Sequence, residues 1–246
     1  MSRFASIRPS LDRQIVRRTR GQGHGPITRL MSPSDFGQIL KPFVFLDLFD
    51  NHGVPFSGFG LHPHSGIATL TYIAEGSVRY EDTTGAKGLL PAGGVEWMRA
   101  GGGVWHGGGA GEPGRTRGFQ LWIALPPNLE LGPSVSLYQS PQDLQQEGPA
   151  RILLGKYGSA TGAIEPPSAI NYLAVRLKAG NRWVRTARGA HCPLGRPERR
   201  GRLGSGRTSR GRPGGLRAFE RRDRIRGVIG ICPPPEFDSA AIGRYS

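Results

Sequence analysis

The chain of 246 residues reads as an all-β protein of barrel type, and three observations lead there. Glycine (39 residues) and proline (21 residues) are abundant, as in a chain that turns often. Short runs rich in β-branched and aromatic residues recur between glycine turns, the pattern of strands in a barrel or sandwich. A His-x-His pair, His62 and His64, sits in one such segment, where strand alternation turns both imidazoles to one face.

The elements follow in order. Phe43 to Phe49 is bounded by Pro42 and by the Asp50-Asn51-His52-Gly53 turn, and reads as a buried strand that opens a first barrel. Ile67 to Ala74 and Ser77 to Asp82 flank Glu75-Gly76 and are expected to form a hairpin of the barrel wall. Thr83-Thr84-Gly85 turns the chain again, and Leu89 to Met98 supplies a further turn and strand. Gly101 to Gly103 allow close backbone approach before Val104-Trp105-His106. Phe119 to Leu125, stopped by Pro126-Pro127, closes this barrel, which is expected over residues 1–127. Residues 128–150 are polar and proline-punctuated, a connector with a short helix expected at Pro141 to Gln146. A partial second β unit is expected over 151–183, with strands at 151–155 and 170–177 and Arg176 turned outward. From 184 to 246 arginine alternates with glycine, serine and proline; such a tail cannot bury enough apolar surface to fold alone and is expected to be disordered.

The chemistry concentrates in three histidines. His106, inside a glycine run 42 residues after His64, would complete a set of nitrogen donors suited to iron, copper, nickel, manganese or zinc. Packing inside a barrel is the alternative use of the same side chains. Glu96 shares a strand face with Met98, so a buried Glu96 would be costly unless paired, and it is expected outside or hydrogen-bonded. Trp97, Trp105 and Trp122 read as core, with Trp105 set apart as a pocket candidate because it adjoins His106. No catalytic residue is assigned.

The net charge of +15 is mostly a property of the tail: residues 1–182 carry 18 basic and 13 acidic side chains, residues 183–246 carry 15 and 5. Aromatic residues for base stacking are sparse there, limited to Trp183, Phe219, Phe237 and Tyr245, so nucleic acid is not an expected partner. No run of 18 apolar residues predicts a membrane span, and the arginine-rich start lacks the apolar core of a secretory signal. Cys192 and Cys232 are too few for a disulfide framework, and a reducing, cytoplasmic setting is expected.

The motifs, taken together and in order, resemble the pirin family. His62-Pro63-His64-Ser65-Gly66, Thr69-Leu70-Thr71-Tyr72 with Glu75-Gly76, Glu81-Asp82, the run from Glu96 to His106, and Gln120-Leu121-Trp122 carry the likeness, which covers roughly residues 10–182. The resemblance implies a bicupin: two jelly-roll barrels with a metal, typically Fe(II), in the first. Zinc, copper, manganese and nickel are alternatives. It implies His62, His64 and His106 as ligands, a flavonol substrate where the member is a quercetin 2,3-dioxygenase, and a protein partner where the member is a redox-sensitive regulator. The chain departs from the pattern twice. The family's fourth ligand, a glutamate two residues past the third histidine, is Gly108 here, with Glu112 considered as a substitute from the loop. The arginine-glycine tract stands where apolar strands of the second barrel belong, a composition resembling an altered reading frame, so the second barrel is expected to be incomplete.

Overall fold

The computed structural model describes residues 18–55, 57–177, 183, 194–195 and 226–232. Along the chain lie β1 (Gln22–His24), β2 (Ile27–Met31), β3 (Phe43–Asp50), β4 (Phe59–His64), β5 (Ile67–Glu75), β6 (Ser77–Asp82), β7 (Lys87–Pro91), β8 (Val95–Arg99), β9 (Val104–Ala110) and β10 (Arg117–Ala124). A single helical turn, α1 (Pro127–Glu130), leads to β11 (Val135–Gln139), β12 (Gln146–Glu147), β13 (Ala150–Leu154), β14 (Lys156–Tyr157), β15 (Ala160–Thr161), β16 (Asn171–Leu177), β17 (Leu194–Gly195) and β18 (Arg226–Cys232).

Three sheets matter for the site. A seven-stranded sheet runs β1-β2-β3-β10-β5-β8-β11, a four-stranded sheet runs β4-β9-β6-β7, and a five-stranded sheet runs β12-β13-β16-β18-β17. Each described pairing within them is antiparallel. Register sorts the seven-stranded sheet into two unlike faces, because side chains alternate along each strand. Leu121 lies between Leu46 and Leu70, and Leu70 opposes Trp97. This apolar face, with Phe119, Ile123 and Tyr72, packs in one core with Leu153, Leu154, Ile170 and Tyr172 from the second half of the chain. The opposite face carries Trp122 beside Phe45 and Thr69, Gln120 beside Asp47 and Thr71, and Glu96 beside Thr71 and Tyr138. A face this polar inside a sheet pair is poor packing material and good site material.

Several expectations change in detail. Glu75-Gly76 is not a hairpin: β5 pairs with β8 and β10, whereas β6 pairs with β7 and β9, so the chain crosses there from one sheet to the other. Gly76 makes that corner at φ +76°, and a Cβ on it would lie 2.4 Å from the carbonyl oxygen of Arg115. The hairpin is β6–β7, whose turn is held by Asp82 accepting from the Thr84 N–H at 2.7 Å. No helix forms at Pro141 to Gln146; the Asp143 carboxylate accepts from the Ser140 N–H at 2.9 Å and closes a turn instead. The stretch read as connector also contributes β11, which edges the seven-stranded sheet. Within 184–246, β18 pairs with β16 and β17 pairs with β18, and the rest of that segment lies outside the described residues.

Candidate metal centre

β4 and β9 are neighbours in the four-stranded sheet, with His62 opposite His106 and His64 opposite Val104. Pro63 can separate the two histidines because β4 is an edge strand, where a missing N–H costs least. Alternation then delivers what the sequence predicts: three imidazoles on one face, ring centroids 4.5 to 5.0 Å apart. One donor atom from each lies within 4.8 Å of the others.

The hydrogen bonds decide which nitrogens are free. His62 Nδ1 is 2.7 Å from the Gly60 carbonyl oxygen, which can only accept, so Nδ1 carries the proton and Nε2 keeps its lone pair. His106 Nδ1 donates in the same way to Glu96 Oε1 at 3.2 Å. His64 and His106 are buried, and the Nε2 atoms of both have no hydrogen-bond partner. Burial, then the neighbouring His106 and His62, push the His64 imidazole down to about 4, so it is neutral at pH 7. Buried polar atoms without partners are costly, and two such lone pairs beside a third imidazole fit a divalent cation with nitrogen preference.

Behind His106 lies a second set of polar groups. Glu96 is 7% exposed and accepts from His106 Nδ1 and from the Tyr138 O–H, the latter at 3.3 Å. The Tyr138 hydroxyl also lies 2.9 Å from Asp82 Oδ2, and its ring stacks on Tyr80 at 3.5 Å. Burial first, then the carboxylates of Glu96 and Asp82, hold the Tyr138 phenol above its usual range, so it remains an O–H donor. Burial would raise Asp82, but hydrogen bonds from Thr84 and Tyr138 outweigh it and hold the carboxyl below its usual range.

The other singled-out residues separate clearly. Trp97 is core, Trp105 is 51% exposed, and Trp122 stands edge-on to His64 with centroids 4.8 Å apart. Trp122 Nε1–H donates to Gln120 Oε1 at 2.9 Å, and the ring meets Phe45 at 4.8 Å. Arg29 sits over Phe45 at 4.3 Å while its guanidinium grips Asp47. An open cleft of about 470 Å³ is lined by Pro63, His64, Ser65, Thr83 and Trp105 among others, but Pro63 and Trp105 are register partners that alternate to the face of the four-stranded sheet opposite His62 and His106, so the cleft lies on the outer side of the sheet from the imidazoles. Gly108 shares the His106 side of β9 but brings no donor. Glu112 does not replace it: the residue is exposed, past the Ala110 end of β9, with its N–H on Ser77 Oγ at 2.9 Å. His106 pairs with Asp82 at the opposite end of β6 from Ser77. Tyr138 escaped sequence reasoning because it lies in the presumed connector; its signal is the alternation of Val135, Leu137 and Gln139 around it.

A family model for pirin matches residues 26–123. A pirin-like protein of Caulobacter vibrioides is 30% identical over 205 residues, 78% of this chain and 68% of that protein. A Pseudomonas aeruginosa protein provisionally named quercetin 2,3-dioxygenase is 38% identical over 187 residues, 71% of this chain; the chain spans 62% of that relative's length. Among solved structures, a quercetin 2,3-dioxygenase from Acinetobacter baumannii superposes with a TM-score of 0.69 at 21% identity, covering 88% of this chain and 84% of that one. A bacterial pirin from Escherichia coli in complex with nickel(II) superposes with a TM-score of 0.58 at 18% identity, covering 87% and 94%. These two likenesses concern the all-β cupin fold alone. Together with the ordered motifs from His62 to Trp122, the relative matched over two thirds of its length places this chain in the pirin family.

Proposed function

We propose that His62, His64 and His106 hold a divalent metal, Fe(II) in the cell, and that the chain is a flavonol-consuming dioxygenase of the quercetin 2,3-dioxygenase type. The observation that carries the reading is the pair of buried, unpartnered Nε2 atoms of His64 and His106 beside His62. Nickel, zinc, copper and manganese suit the same donors. When bound, the ion supplies a Lewis-acid centre at which a flavonol's vicinal oxygens and dioxygen can meet. The chain's own contribution is orientation and shelter. Gly60 and Glu96 fix the tautomers of His62 and His106, and Trp122 with Phe45 forms an apolar wall beside His64 against which a planar aromatic ring can lie.

Position 108 offers no carboxylate to take the flavonol hydroxyl proton, and general-base help of that kind is worth about 10² to 10⁴-fold. Turnover is therefore expected to be slow. The same glycine favours a second reading, a regulatory protein that contacts a protein partner and uses its metal's redox state as a signal. Anaerobically purified protein loaded with Fe(II) and given quercetin and dioxygen separates the two. Flavonol loss that disappears in His62→Ala/His64→Ala supports the enzyme; metal binding without flavonol loss removes it in favour of the regulator. In either case we assign the cytoplasm, where Fe(II) is kept reduced, as the compartment.

A further inference from the structure

Glu96 is the unexpected charge in this barrel. It lies in β8 between Val95 and Trp97, both buried, and turns toward the four-stranded sheet. A carboxylate in such a place is costly unless it is paired, and no lysine or arginine forms an ion pair with it among the described residues. Its partners are the His106 Nδ1–H and the Tyr138 hydroxyl.

The four residues involved form a closed clamp. Glu96 and Tyr138 are register partners in the seven-stranded sheet, and Asp82 and His106 are register partners in the four-stranded sheet. Two contacts cross between the sheets, His106 to Glu96 at 3.2 Å and Tyr138 to Asp82 at 2.9 Å. The stack of Tyr80 on Tyr138, with ring planes 10° apart, holds the phenol in line. Each member is thus fixed by a neighbour on its own sheet and by one on the facing sheet.

We infer that Glu96, locked by Tyr138 and Asp82, is the positioning residue of the metal centre and delivers through His106 Nδ1 the negative charge that Gly108 does not deliver directly. This inference rests on the metal-site reading above. A carboxylate behind a ligating imidazole fixes the ring so that Nε2 faces the ion and makes that nitrogen a stronger donor. Gly108 leaves the ion's own surroundings with three neutral donors, so the charge behind His106 carries more weight here than an extra anion would in a carboxylate-ligated site.

The test is titration of metal-free full-length protein with Co(II), followed by its d–d absorption, for wild type, Glu96→Gln, Tyr138→Phe and the double variant Glu96→Gln/Gly108→Glu. Glu96→Gln keeps an oxygen that can accept from Nδ1 and removes only the charge. It is expected to bind Co(II) 10- to 100-fold more weakly, the usual cost of losing such a partner. Tyr138→Phe, one bond further out, is expected to weaken binding by less than Glu96→Gln does, with a shifted absorption band. In the iron-loaded protein, Glu96→Gln is expected to raise the Fe(III)/Fe(II) reduction potential, which a merely structural substitution would not do. A glutamate at 108 is expected to restore Co(II) affinity in the double variant. Co(II) affinity and potential unchanged in folded Glu96→Gln would overturn the inference while leaving the metal site intact. If that variant does not fold, unchanged affinity and spectrum in Tyr138→Phe overturn it equally. Wild-type protein that takes up no Co(II) overturns both this inference and the metal reading.

Discussion

At the scale of single residues, the site depends on which nitrogen of each imidazole is left free, and small changes should therefore have distinct signatures. Trp122 touches His64 but makes no bond to it, so Trp122→Ala should leave Co(II) affinity unchanged while raising the flavonol KM about tenfold, one aromatic contact's worth. Steady-state quercetin kinetics beside a metal titration check the split. Asp50 offers a test away from the site. Burial would raise its carboxyl, but the Arg115 guanidinium and the His52 N–H outweigh that and hold it below 3.8. A carboxyl depressed in the native state contributes stability that is complete above its ordinary value and lost as pH falls through the native one. Asp50→Asn should cost about 1.5 to 3 kcal/mol at pH 7, the worth of charged hydrogen bonds. Urea unfolding should show the gap to wild type closing as pH drops below 3.8.

At the scale of elements, the two faces of the seven-stranded sheet make opposite predictions. Leu70 is fully buried in the face shared with Leu153 and Tyr172, so Leu70→Ala should cost about 2 to 5 kcal/mol in urea unfolding without altering metal affinity in the folded protein. Gly76→Ala should destabilise by more than the ~1 kcal/mol of an ordinary glycine change, since the corner requires positive φ and leaves no room beside Arg115. Strand existence was legible because aromatic and β-branched runs between glycines announce it, and the His62–His64 pair because period two needs only local geometry. The β5–β6 corner was not legible: Glu75-Gly76 has the composition of a hairpin turn, and only the pairing of β5 with β10 and β6 with β9 tells a corner from a hairpin. Tyr138 was hidden because prolines and polar residues around β11 outweigh five residues of alternation.

At the scale of the whole molecule, the strands from β3 to β11 present a three-histidine cluster between two sheets, with a separate apolar core joining one of those sheets to the second half of the chain. No helix among the described residues is long and apolar enough to cross a membrane. Placement of the inward Glu96 follows from this layering rather than from local sequence: its neighbours Val95, Trp97 and Met98 are buried and apolar, and it takes its partners from β9, through His106, and from β11, through Tyr138. Metal binding to the native state alone should raise whole-molecule stability by about 2.7 kcal/mol at a hundred times the Kd, visible as a thermal midpoint that climbs with Co(II). The most direct measurement is metal content by elemental analysis of anaerobically purified protein beside the His62→Ala/His64→Ala variant. One equivalent of iron or a similar ion per chain, lost in the variant, is the predicted result; equal trace amounts in both would contradict a metal centre at these histidines.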